Sequence, residues 1–157
     1  MAKLITFLTY VDRAEEAANF YVSVFDNSRI REITRYGATG PGPKDSVMTV
    51  VFEIDGTEYI ALNGGTHFTF SNGVSILVQC ETQEEVDRYW ERLSEGGQKI
   101  QCGWLKDKFG LSWQVVPRLL GQYMSDPDRA RAQRVMSAMM EMKKIDISGL
   151  KRAYEGR

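Results

Sequence analysis

The chain has 157 residues, 43% hydrophobic and 26% charged, which is the composition of a globular protein with one sizeable core. Its net charge of -1 offers no basic surface for nucleic acid or for an anionic membrane. No apolar run approaches the roughly 20 residues that span a bilayer, and MAKLITFLTY lacks the apolar segment and cleavage site of a signal peptide, so a cytoplasmic protein is expected.

Residues 3–10 read as a first strand. Asp12 then opens a helix, with Glu15 completing a capping box three positions on. Ala14, Ala17, Ala18, Tyr21 and Phe25 recur at helical spacing and give that helix one buried face. Asn27-Ser28 ends it. Residues 29–36 form a second strand, GATGPGPKDS a flexible loop, and residues 46–54 a third strand. Asp55-Gly56 turns the chain into a fourth, over residues 58–63.

The pattern then restarts. Residues 74–80 are a strand, and Thr82 with Glu85 caps a helix whose buried stripe is Val86, Tyr89, Trp90 and Leu93. Gly96-Gly97 stops it, and two more strands and a hairpin end in CGWLKDKFGLSWQVVP. In that hairpin Ser112, Gln114 and Val116 share one strand face, while Leu111, Trp113 and Val115 share the other. Gln114, held among apolar neighbours, either satisfies a hydrogen bond inside a core or points into a cavity. Cys80 and Cys102 are expected as free thiols.

After Pro117 the chain turns helical. Residues 118–124 suit a short helix, and Asp126-Pro127 signals the start of the next. That helix carries Ala132, Val135, Met136, Met139 and Met140 on one face, and Asp146 caps a last helix with Ile147, Leu150 and Tyr154. These helices either cover their own domain or clasp a second subunit.

The two halves repeat. Glu15 to Tyr21 align with Glu84 to Trp90 without a gap, and the same offset lays Thr6 on Ser75 and Leu8 on Leu77. Each half reads strand–helix–strand–strand–strand. The expected fold is therefore α+β, with two βαβββ modules (about 1–66 and 72–117) forming curved sheets around a cavity. A C-terminal helical extension (about 118–157) follows within a single domain.

With AEEAANFYVSVF, YGATGPGPKDSVMTVVFEIDG, ALNGGTHFTF, VSILVQCETQEEVDRYWERLSEGG, CGWLKDKFGLSWQVVP and QRVMSAMMEMKKIDISGLKRAYEG in this order over nearly its whole length, the chain resembles the vicinal oxygen chelate superfamily of glyoxalases, bleomycin-resistance proteins and dioxygenases. Within it the chain resembles the PhnB-like branch, which carries the label of a 3-demethylubiquinone-9 3-methyltransferase. The resemblance implies paired modules, a homodimer, and in metal-using members His and Glu ligands on the first and last strands of each module. The matching positions here are Thr6, Asn63, Ser75 and Gln114, with the single histidine, His67, just beyond the fourth strand. Thr, Ser, Asn and Gln give neutral oxygens, which are poor ligands for zinc or nickel, so no metal is expected. No G-x-G-x-x-G joins a strand to a helix, so no S-adenosylmethionine site and no other cofactor is expected.

The expected function is metal-independent binding of a small molecule in a cavity. Its candidate walls are Thr6, Met48, Phe52, Asn63, His67, Ser75, Cys102, Trp104 and Gln114, with no catalytic residue assigned. The alternatives are a divalent-metal lyase, isomerase or dioxygenase, the methyltransferase of the label, and a purely structural dimer.

Overall fold

The computed structural model describes residues 1–157, which divide into two compact units, Met1–Phe70 and Ser71–Arg157. Each is built on a four-stranded mixed sheet, neither closed into a barrel, and the architecture is α+β. No helix is long and apolar enough to cross a membrane.

In the first unit β1 (Thr6–Tyr10), β2 (Ser28–Arg35), β3 (Val47–Ile54) and β4 (Thr57–Asn63) lie in the order β1-β4-β3-β2. β1 pairs parallel to β4, and the other neighbours are antiparallel. Helix α1 (Ala14–Val24) covers one face. Leu8, Ala61 and Val50 meet in one register row under it, and Tyr21 of α1 packs 6.1 Å from the Phe52 ring. The expected Asp12–Glu15 capping box does not form. Arg13 takes the cap position without a side-chain bond, and the first N–H of α1, that of Ala14, donates to Asn63 Oδ1 of β4 at 2.8 Å. A strand residue beside the helix start thus supplies the acceptor that the local sequence was expected to provide.

The glycine- and proline-rich loop expected to be flexible closes on Tyr36, whose hydroxyl donates to the Asn63 carbonyl. A Cβ at Gly42 would stand 2.3 Å from the Tyr36 ring, so only glycine lets the chain pass there. At the far end of the sheet Arg29 and Arg31 both pair with Glu53. The Arg29 hydrogen bond first, then Arg31, holds the Glu53 carboxyl below its ordinary pKa.

In the second unit β5 (Ser75–Cys80), β6 (Gln98–Lys99), β7 (Trp104–Lys106) and β8 (Ser112–Pro117) repeat the order as β5-β8-β7-β6. Helix α2 (Gln83–Ser94) covers the face of Leu105, Trp113 and Val115. The expected Thr82 cap forms, Glu85 N–H donating to Thr82 Oγ1 at 3.2 Å, while the returning Glu85 Oε2 accepts from Glu81 N–H at 2.7 Å, one residue before the cap.

Helices α3 (Arg118–Met124), α4 (Arg129–Met140) and α5 (Ile147–Glu155) belong to this second unit. Leu120, Val135, Ile145 and Leu150 form their buried core. Helix α4 starts later than Asp126-Pro127 suggested. Asp128 is its cap, accepting from Ala130 and Arg131 N–H, while Asp126 instead accepts from the Asp128 N–H and the Tyr154 hydroxyl. Asp146 caps α5 as expected. Two ties hold the helices to the sheet layer. Gln83 of α2 bonds both Ile145 O and Ile147 N, and the N–H groups of Cys102 and Gly103 donate to Met142 O and Lys143 O at 2.8 Å.

Candidate ligand-binding cleft of the second unit

Four of the residues that the sequence nominated lie together on the sheet face opposite α2. Alternation along β8 sends Trp113 and Val115 under α2 and Gln114 and Val116 to the other side. Register then sets Trp104 of β7 and Leu77 of β5 on either side of Gln114. Gln114 Nε2 donates to Ser75 Oγ at 3.0 Å, so the half-buried carboxamide is anchored and also faces open space. Gln114 thus makes its hydrogen bond on the open face of the sheet, not inside the core.

That space is a cleft of about 340 Å³ lined by Leu77, Gln79, Cys102, Trp104, Gln114 and Val116 from the sheet, with Leu120, Met124 and Met139 from α3 and α4. The Cys102 thiol lies 3.9 Å from the Met140 sulfur. Cys102 holds φ at 61° and Gly103 at 82°, a double turn that lets the strand meet the α4–α5 connection. Both thiols are free, as expected, but they differ. Cys102 is half-buried, whereas Cys80 is buried on the α2 side, and burial with help from Glu85 and Glu81 pushes its pKa up to about 12.

The remaining nominated residues stand elsewhere. Phe52 is fully buried against α1, and Asn63 spends its carbonyl on Ala14 N–H and its amide on Val47 O. Thr6 and Met48 share their strand faces with the α1-covered residues Leu8 and Val50, and His67 is exposed in the link after β4. The open side of the first sheet carries Thr9, Thr49, Val51 and Leu62 instead. The sequence reading missed these because β3, VMTVVFEI, has apolar residues on both faces, so its alternation does not say which face is covered. Lys106 and Gln79 also went unnoted. They sit two residues from Trp104 and Leu77, and the period of 2 was the signal that could have found them.

The donor set does not fit the metal of the superfamily. No three His, Cys, Asp or Glu side chains converge, Asn63 is committed to the backbone, and Ser75 and Gln114 bond each other. Nor does either strand-to-helix link, residues 11–13 or 81–82, contain the glycines of a nucleotide-binding turn.

The model of the family described as 3-demethylubiquinone-9 3-methyltransferase matches residues 2–116. The chain belongs to this family. Its fold is that of the PhnB-like vicinal oxygen chelate proteins, related to glyoxalases and bleomycin-resistance proteins. The PhnB protein of Bacillus cereus is similar at 38% identity and a TM-score of 0.68, over 74% of this chain and 99% of that one. Protein PA1353 from Pseudomonas aeruginosa shares the fold at 20% identity and TM-score 0.62, over 74% of this chain and 98% of that one. The fosfomycin resistance protein FosX from Mesorhizobium loti shares it at 15% and 0.53, over 73% and 89%. No curated protein matches the chain. The family match stops before α3, so the C-terminal phrase of the resemblance, residues 133–156, falls outside it, as does the helical wall of the cleft.

Proposed function

We propose that this PhnB-like protein binds a small molecule without a metal, in the cleft between the open sheet face and α3–α4. The Gln114–Ser75 pair carries the reading. One N–H of Gln114 is used by Ser75, which leaves the carbonyl oxygen and the second N–H for a polar ligand group, with apolar walls on either side. That combination of an oriented polar group in an apolar cleft is what fixes a ligand in one pose. The homodimer that the resemblance implies is part of the same proposal. Sedimentation velocity tests it, a monomer at working concentration counting against it.

The binding test is a thermal-shift screen of small aromatic and phosphonate compounds, with and without chelator. Stabilisation that chelator leaves unchanged and Gln114→Ala removes supports the reading. Stabilisation that needs zinc, nickel or manganese would replace it with divalent-metal chemistry, and tight retention of S-adenosylmethionine would return the methyltransferase.

A further inference from the structure

We infer that the ligand is an amphipathic anion, its apolar body among the α3–α4 methionines and its anionic head at Lys106. The inference rests on the cleft being the binding site. Lys106 lines a neighbouring cleft, also about 340 Å³, together with Asn72, Gln98, Ile100, Trp104 and Ser112. Trp104 lines both clefts, so they lie side by side on this sheet face.

Register orders this face chemically. Gln98, Lys106, Ser112 and Ser75 follow one another across all four strands and form a polar row. Two residues along, about 7 Å away, lies the row of Trp104, Gln114 and Leu77. Beyond it come Val116 and the helical wall with Met124 and Met139. The face thus runs from a cation with hydroxyl and amide donors, across an indole, to thioethers and branched alkyl groups.

The charge is uncompensated. No carboxylate lines either cleft, and Lys106 is half-buried without an ion-pair partner. The adjacent carboxylate, Asp107, is buried and taken up by the Phe109 and Leu111 N–H groups and the Trp113 indole. A partly desolvated ammonium beside neutral donors favours a carboxylate, phosphonate or sulfonate over a neutral group.

The test compares two fluorescent probes, anilinonaphthalene sulfonate and its uncharged counterpart phenylnaphthylamine, with the Trp104 indole N–H followed by NMR to localise binding. The wild type is expected to bind the sulfonate about tenfold more tightly or better, the scale of one hydrogen bond to a charged group. Lys106→Met keeps the apolar stem and should bring the ratio near one by weakening the sulfonate, while Lys106→Arg keeps the preference. Equal affinities in the wild type, or a preference that survives Lys106→Met, overturns the anion inference and leaves the cleft standing. If neither probe moves the Trp104 signal, the cleft reading itself falls.

Discussion

Asp107 Oδ2 accepts the indole N–H of Trp113 at 2.9 Å, in the middle of the second unit. Its Oδ1 accepts the N–H groups of Phe109 and Leu111 at 2.9 and 3.0 Å. A carboxylate only 3% exposed therefore fixes both the hairpin turn and the largest buried side chain of the unit. It also keeps Trp113 on the α2 side, and strand alternation then aims Gln114 into the cleft.

Asp107→Ala is expected to cost on the order of 3–5 kcal/mol, because it strands several buried donors at about 1–3 kcal/mol each. Asp107→Asn retains one oxygen and should cost about half as much. Urea unfolding followed by tryptophan fluorescence measures both. An Asp107→Ala protein within about 0.5 kcal/mol of wild type would mean that the network does not support the hairpin.

Gly103→Ala should be severe for its size. Its φ of 82° disfavours a side chain, and a Cβ would lie 2.8 Å from the Val115 carbonyl oxygen, to which no flexible neighbour can yield. A loss of about 2 kcal/mol or more is expected, together with a loosened α4–α5 connection, since Gly103 N–H holds Lys143 O. Hydrogen exchange of the Cys102 and Gly103 amides reads the second effect, and unchanged protection would disprove it.

Asn63→Ala separates structural from ligand-binding roles. Removing the cap acceptor of Ala14 should cost about 1–2 kcal/mol and leave probe binding in the second unit unchanged. A variant of normal stability that no longer binds the probes would return Asn63 to the ligand site.

Cys80 predicts a pH dependence. Its thiol keeps the proton to a pKa of about 12 in the fold, whereas an unfolded chain releases it near 8.5. Between those values the native state binds one proton more than the unfolded state. Stability is then fully present below about pH 8.5 and falls as pH rises, by at most about 1.4 kcal/mol per pH unit from this group. Cys80→Ala should flatten that slope. At mildly alkaline pH iodoacetamide should label Cys102 long before Cys80, and equal labelling rates in the native protein would contradict the burial argument.

Much of the architecture was legible in the sequence because it rests on local signals. The helical spacing repeated in α1 and α2, the Thr82 cap and the Asp146 cap each depend on residues within a few positions of one another. Local signals failed where a distant residue could supply the same bond. Asn63 displaced Asp12 as the partner at the start of α1, and Tyr36 drew in a loop that composition alone marked as free.

The sequence by itself determined the two βαβββ units and the buried stripes of their helices, since hydrophobic periodicity and capping act over one or two turns of chain. Only the tertiary structure decided which face of each strand was open. It covered Phe52 and Asn63, set Lys106, Trp104 and Gln114 on one surface, and laid the α3–α4 methionines against it. The reason is physical: alternation divides a strand into two sets of side chains, but which set meets solvent depends on where a helix far away in sequence comes to rest.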